Sequence, residues 1–307
     1  MYEPKWVLPK TIDEAVEALA DESSRPIAGA TDLAVRIRAD HAGPATLVDL
    51  TGVPELAMIG VDGDTLTIGA AASHAAVSRH DIVAHRAAVL AEACGTVGAP
   101  QIRARGTIGG NLANASPAAD ASVALAALDA VAHARSTRGE REVPVTGLFA
   151  GPGQLRLEPD ELLTHVTLAL PRAGASSVYR KLGQRKALAI AIASVAVTFD
   201  PTASAVRIAL GSVAPTVVRA DAAEMVFAEG WGSLEREAPT GDSGGADARG
   251  SARSRTELIE EVAAKAARAS SPIDDVRASA EYRTILVREL TRTALEGLCL
   301  AEPRVSG

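Results

Sequence analysis

Apolar positions along the chain change period several times, and the changes mark its elements. Ile12-Asp13-Glu14-Ala15-Val16-Glu17-Ala18-Leu19 carries its apolar residues on one helical face. Thr11 just before it, with Glu14 three residues on, predicts an N-cap closed as a capping box. Pro26-Ile27-Ala28 reads as a short strand running into Gly29-Ala30-Thr31-Asp32, followed by a helix from Leu33 to about Ala39 and a strand over residues 46–50. That is a compact β–turn–α–β arrangement. From Glu55 the period shortens. Residues 57–61 and 65–68 flank Asp62-Gly63-Asp64, which is hairpin turn chemistry.

Residues 74–78 and 84–94 read as helices, with Gly95 as a C-terminal cap. Residues 100–120 read as loop, rich in Gly, Asn, Ser and Pro, before an apolar run over 121–128. Strands are predicted around 130–134 and 166–170. Residues 171–176 form a Pro/Gly/Ser-bearing connector, the expected domain boundary. Beyond it lie a segment over 178–186, an apolar stretch through Val197, a strand over 205–210 ending at Gly211, and a helix from about Arg219 to Phe227. Residues 229–253 carry almost no apolar side chain beyond Trp231 and Leu234, and read as a mobile surface insertion. Helices over 256–269 and 280–298 close the chain. The expected division is residues 1–173, in lobes of about 1–54 and 55–173, and then residues 177–300.

Composition narrows the function classes. With 307 residues and 47% apolar types, two domains with real cores are expected, and the 3% of aromatics means those cores are built from Ala, Val, Leu and Ile. A net charge of −7 without a Lys/Arg block argues against a nucleic-acid partner. The apolar runs stop short of the ~20 residues of a membrane span. Glu3, Pro4, Lys5 and Pro9 do not make a signal peptide, so a cytoplasmic location is expected. The two cysteines, Cys94 and Cys299, lie far apart and make neither a disulfide framework nor a zinc site. An iron–sulfur cluster needs about four thiolates, so any redox centre held by this chain alone is organic.

Two segments carry candidate chemistry. In Ala28-Gly29-Ala30-Thr31-Asp32-Leu33 a strand ends in small residues and a helix begins, which presents free amides and a positive dipole end to an anion. Taken alone, an ordinary strand-to-helix turn capped by Thr31 or Asp32 accounts for it more simply. The second segment, from Gly106 to Asp120, contains Thr107, Ile108, Gly109, Gly110, Asn111, Asn114 and Ser116. Adjacent glycines permit close backbone approach and an anion nest, and the amides, hydroxyls and carboxylate suit a ribose or ribityl chain. It is neither a dinucleotide G-x-G-x-x-G nor a Walker A loop. A tight turn explains the glycine pair but not so long a run of small and polar residues. No H-E-x-x-H or G-x-S-x-G occurs, and His74, His80 and His85 read as surface or packing residues.

On these two segments the chain resembles the FAD-binding medium subunit of the molybdenum hydroxylases, the family of xanthine dehydrogenase and aerobic carbon monoxide dehydrogenase. Val48-Asp49-Leu50, Pro100-Gln101-Ile102-Arg103, Tyr179-Arg180-Lys181-Leu182-Gly183, the run from Ala209 to Thr216, and Asp275-Val276-Arg277 with Ala280-Glu281-Tyr282-Arg283 continue the likeness along nearly the whole chain. The resemblance implies an α/β (α+β) fold. It would have a two-lobed FAD-binding domain of the vanillyl-alcohol-oxidase (PCMH) type, then a small C-terminal domain with an antiparallel sheet and helices. It implies that Ala28, Gly29, Ala30, Thr31, Asp32 and Leu33, with Thr107, Ile108, Gly109, Gly110 and Asn111, grip the FAD pyrophosphate. Asp120 would add a polar contact near the ribityl or ribose, and Leu163 and Lys181 would face the flavin. Neither loop has a His or Cys, so the FAD is expected to be non-covalent.

The resemblance further implies electron relay. A molybdopterin large subunit would oxidise the substrate, [2Fe–2S] clusters on a small subunit would pass electrons to FAD, and NAD or another acceptor would receive them. A stand-alone flavin dehydrogenase or oxidase, and a non-catalytic scaffold of the same fold, are the competing readings. One departure stands out: the family commonly has two glycines in the first loop, where this chain has Gly29-Ala30. If that position takes a positive φ, alanine costs on the order of 1 kcal/mol and weakens or alters FAD binding.

Overall fold

The computed structural model describes residues 2–185, 188–237 and 254–299. It opens with a parallel three-stranded sheet made of β1 (Lys5–Val7), β2 (Ser24–Ile27) and β3 (Thr46–Asp49), with β3 central. Pro26 lies in the edge strand β2, where a missing amide hydrogen does least harm. Helix α1 (Ile12–Leu19) buries Ala15, Val16 and Leu19 in a small core with Val48, Leu50 and Leu162. Thr11 Oγ1 accepts from the Glu14 amide, as expected, but the Glu14 carboxylate returns to the Lys10 amide, so the box closes one residue early. Helix α2 (Leu33–Asp40) links β2 to β3 and has no buried residue.

The middle of the chain forms a five-stranded antiparallel sheet. β4 (Ile59–Asp62) and β5 (Thr65–Gly69) are the predicted hairpin, with Gly63 at φ +55 in its turn. Six short helices follow: α3 (His74–Arg79), α4 (Asp81–Arg86), α5 (Ala88–Thr96), α6 (Pro100–Arg105), α7 (Ile108–Ala113) and α8 (Asp120–Ala127). The chain then returns through β6 (Val131–Ser136), β7 (Gly139–Pro144), the small ribbon β8 (Phe149–Gly151) and β9 (Gln154–Leu155), and β10 (Leu162–Ala169). The sheet order is β4-β5-β10-β6-β7.

Here the structure departs from the sequence reading. Residues 100–120 are loop only at 106–107 and 114–119, the rest being α6, α7 and the start of α8, and Gly95 lies inside α5 rather than capping it. Pro100 sits in the first turn of α6, where proline is tolerated, and α7 forms in spite of two glycines because it docks on Ala70 and Ala72.

The third sheet, in the order β11-β12-β13-β14, is antiparallel: β11 (Ser176–Gly183), β12 (Ala191–Asp200), β13 (Ala205–Gly211) and β14 (Val218–Arg219). Helices α9 (Asp221–Glu237), α10 (Arg255–Arg268) and α11 (Ala280–Cys299) follow. The expected insertion over 229–253 is a correction in part. Its first residues, up to Glu237, continue α9, while 238–253 lie outside the described residues. Trp231 is buried and stacks on Phe227 at 5.1 Å, with Phe199 edge-on, which draws the helix past its predicted end. Helix α8, rich in alanine, is buried all round, and it packs on α5, β12 and β13. The main apolar core therefore runs across residues 171–176 and includes Tyr179, Ala196 and Ala209. Arg283 is 2% exposed, donates to the carbonyls of Ile192 and Ser212, and pairs with Asp275 at 2.7 Å, which fastens α11 to β12.

Candidate functional site

The turn between β2 and α2 meets the residues around α7 across a cleft of about 850 Å³. That volume lies toward the upper end of the roughly 300–1,000 Å³ found for small-molecule sites. The two sequence segments touch backbone to backbone. A Cβ at Gly29 would overlap the Arg105 carbonyl oxygen and lie 2.7 Å from its carbon. Gly106 on the facing segment, between α6 and α7, is tight too, with Thr31 Oγ1 and the His74 ring each 3.4 Å from where its Cβ would stand.

On the first wall, the turn leaves donors free. Among the described residues no carbonyl or side chain accepts from the amides of Ala30, Thr31, Asp32 and Leu33. The Asp32 carboxylate does not cap them but turns to Arg36 Nε at 2.7 Å, and Arg36 in turn donates to Asn114 Oδ1 across the cleft at 2.6 Å. Unpaired amides at the N-terminus of α2, with its dipole behind them, form an anion seat. Ala30 takes φ +60, the left-handed region that disfavours a Cβ. Ala30→Gly is expected to raise the urea unfolding free energy by about 0.5–1 kcal/mol, the left-handed strain outweighing the extra chain entropy of glycine. An unchanged or lower midpoint would mean the turn relaxes around alanine.

The second wall differs from its sequence reading. Thr107 caps α7 by accepting from the Gly110 amide at 3.1 Å. The Ile108 amide donates to Ala72 O, the Gly109 amide to Ala70 O at 2.7 Å, and the Asn111 amide to Thr107 O. Every amide of this first turn is thus committed, so the glycine pair is not an anion nest. Gly109 is needed because a Cβ would stand 2.6 Å from Ala70 Cβ. Gly110 is exposed on the cleft wall, and only Thr107 Oγ1 lies near its missing Cβ.

Of the residues singled out in the sequence, Ala28, Gly29, Ala30, Thr31, Asp32, Leu33, Thr107, Gly110, Asn111 and Ser116 line the cleft. Ile108 and Gly109 lie buried behind it. Asp120, Leu163 and Lys181 do not line it. Leu163 belongs to the main core. Asp120 is 5% exposed, accepts from Tyr179 Oη at 2.6 Å and pairs with Lys181 Nζ at 2.5 Å, joining α8 to β11. Burial pushes the Asp120 carboxyl up, with Lys181 pulling against it. The thiols of Cys94 and Cys299 are both raised by burial, that of Cys299 to about 12. Among the described residues no group of three or more His, Cys, Asp or Glu is placed to hold a metal ion. No helix among them is long and apolar enough to cross a membrane.

Sequence reasoning missed several polar members of the cleft, among them Arg25, Arg36 and His74. Arg25 and Arg36 flank the first segment on β2 and α2, but only tertiary structure brings His74 there, since it is 43 residues from Thr31 in sequence yet sits under the same turn.

Residues 2–172 match the family described as the FAD binding domain in molybdopterin dehydrogenase, and residues 247–298 match the CO dehydrogenase flavoprotein C-terminal domain. The chain is 37% identical over 198 residues to the nicotinate dehydrogenase FAD-subunit of Eubacterium barkeri, covering 62% of this chain and 67% of that one. It is 31% identical to the nicotine 6-hydroxylase medium subunit of Paenarthrobacter nicotinovorans, over 95% of each. In structure it is similar to the carbon monoxide dehydrogenase from Hydrogenophaga pseudoflava, with a TM-score of 0.82 and 30% identity over 96% of each chain. With its free-amide turn, its glycine crossing and its antiparallel C-terminal sheet, the chain belongs to the FAD-binding medium-subunit family of the molybdenum hydroxylases.

Proposed function

We propose that this chain holds one FAD non-covalently in the cleft and serves as the flavin subunit of a molybdenum hydroxylase. The observation that carries the reading is the run of unpaired amides from Ala30 to Leu33, facing a cleft of dinucleotide size. These amides and the Thr31 hydroxyl bind the diphosphate. Thr107, Gly110, Asn111 and Ser116 form the opposite wall, and Ile108 and Gly109 fix that wall from behind. Asp120, Lys181 and Leu163 act by holding the two halves of the chain together. Bound FAD supplies two-electron redox chemistry that also accepts single electrons, so it can join iron–sulfur clusters to a hydride acceptor. Relatives named as medium subunits or chains support an assembly with an iron–sulfur small subunit and a molybdopterin large subunit, with NAD or another acceptor receiving the electrons.

The purified protein is expected to be yellow and to release its flavin on denaturation. Gly110→Val is the matching variant. Its side chain enters the cleft from an exposed position, so FAD is lost while the far-UV circular dichroism stays nearly unchanged. A colourless wild-type protein that takes up no added FAD overturns the reading. Full flavin occupancy in Gly110→Val removes α7 from the site. Small and large chains that co-purify from the native host support the subunit role, whereas turnover of an organic substrate by the isolated chain contradicts it.

A further inference from the structure

His74 opens α3 with its side chain 2% exposed, at the floor of the cleft. Its backbone amide donates to Gly106 O at 2.9 Å, which sets the ring beneath the crossing of the two segments. The ring itself is unused by the fold. Nδ1 is sealed from solvent without a partner, whereas Nε2 is not sealed, and no hydrogen bond to it is found among the described residues. Burial, helped by the Arg103 charge, lowers its pKa to about 4, so the imidazole is neutral and carries one N–H and one lone pair. A sealed Nδ1 without a partner is costly, and an apolar ring would fill the same space without that cost. Beside it are the Thr31 hydroxyl and the free amides of the turn.

We propose that His74 is a binding residue whose Nε2–H donates to a phosphate oxygen of the bound dinucleotide, completing from below the donor set that the α2 turn supplies from the side. The ring thus positions the diphosphate at the crossing. This inference rests on the cleft being the FAD site.

The test compares wild type, His74→Phe and His74→Gln as flavin-free proteins. FAD affinity is read by quenching of flavin fluorescence, ADP affinity by calorimetry, and stability by thermal melting. His74→Phe is expected to bind FAD and ADP about 10- to 100-fold more weakly, the loss of one hydrogen bond to a charged group. Its melting temperature without ligand should equal or exceed that of wild type, because the orphaned Nδ1 is gone. His74→Gln, which keeps an N–H donor, should recover most of the affinity. Equal FAD and ADP binding by His74→Phe and wild type overturns the role of His74 and leaves the cleft assignment intact. A lower ligand-free melting temperature for both variants with unchanged affinities also overturns it, in favour of a packing role. Failure of the wild type itself to bind FAD instead removes the cleft assignment.

Discussion

Asp120→Asn is expected to lower the unfolding free energy by about 3–5 kcal/mol, the cost of leaving one charge of a buried ion pair without its partner. The Lys181 side chain is only 11% exposed and pairs with Asp120 at 2.5 Å, with the Thr96 carbonyl at 3.3 Å as its other acceptor. The amide keeps the shape of the carboxylate and the bond from Tyr179 Oη but not the charge. Burial already pushes the Asp120 carboxyl up against the pull of Lys181, so the pair itself adds little net stability. The loss comes from stranding the ammonium. Lys181→Met in the same background should therefore restore most of the stability, and the double variant should lie well above the sum of the singles. Urea unfolding midpoints measure this directly. A loss below about 1 kcal/mol in Asp120→Asn would mean that water reaches the pair and screens it.

That prediction replaces the role the sequence suggested for these two residues. Asp120 and Lys181 stand 61 positions apart, and their types alone fit a cofactor contact as well as a tie between α8 and β11. Only the fold distinguishes the two. Elements whose cause is local were legible: the helix capped by Thr11, the Asp62-Gly63-Asp64 hairpin, the β–α–β unit around Gly29, and the closing helices. Elements whose cause is tertiary were not. Helix α7 has a poor helical sequence and forms because the Ile108 and Gly109 amides find Ala72 and Ala70 on the neighbouring turn. Helix α9 runs through residues that look like linker because Trp231 completes an aromatic cluster.

The same distinction applies to the glycines of the site. Gly29 and Gly109 both look like phosphate-loop glycines, and each is required by a carbonyl or methyl of this chain itself. Both segments of the site were legible, and so was the idea that they meet. Their division of labour was not, because which amides remain free depends on partners remote in sequence. His74 shows the limit most clearly. A single histidine at a helix start carries no pattern, and its burial and lack of partners exist only in the folded chain.

Gly29→Ala is expected to weaken FAD binding by about 100-fold or more. The added Cβ overlaps the Arg105 carbonyl oxygen and lies 3.0 Å from the Gly106 Cα. These are backbone atoms, so no rotamer change relieves the clash and one of the two segments has to move. The α2 turn is the one free to do so, since α2 buries no residue, whereas Gly106 is held by its amide on Ile102 O and its carbonyl under His74. Hydrogen bonds to phosphate work over about 2.7–3.2 Å, and a displacement of one ångström takes the free amides out of that range. Losing two bonds to a charged group costs about 3 kcal/mol or more, hence the hundredfold loss. The fold should suffer less, by about 1–3 kcal/mol, as for other overpacked sites. Gly60→Ala is the control, because its Cβ meets nothing within 4 Å. Flavin fluorescence titration of the two variants separates the effects: Gly60→Ala should bind as wild type does. Retention of wild-type affinity by Gly29→Ala would mean that the crossing of the two segments does not set the amides against the cofactor, and the anion seat would then lie elsewhere along the cleft.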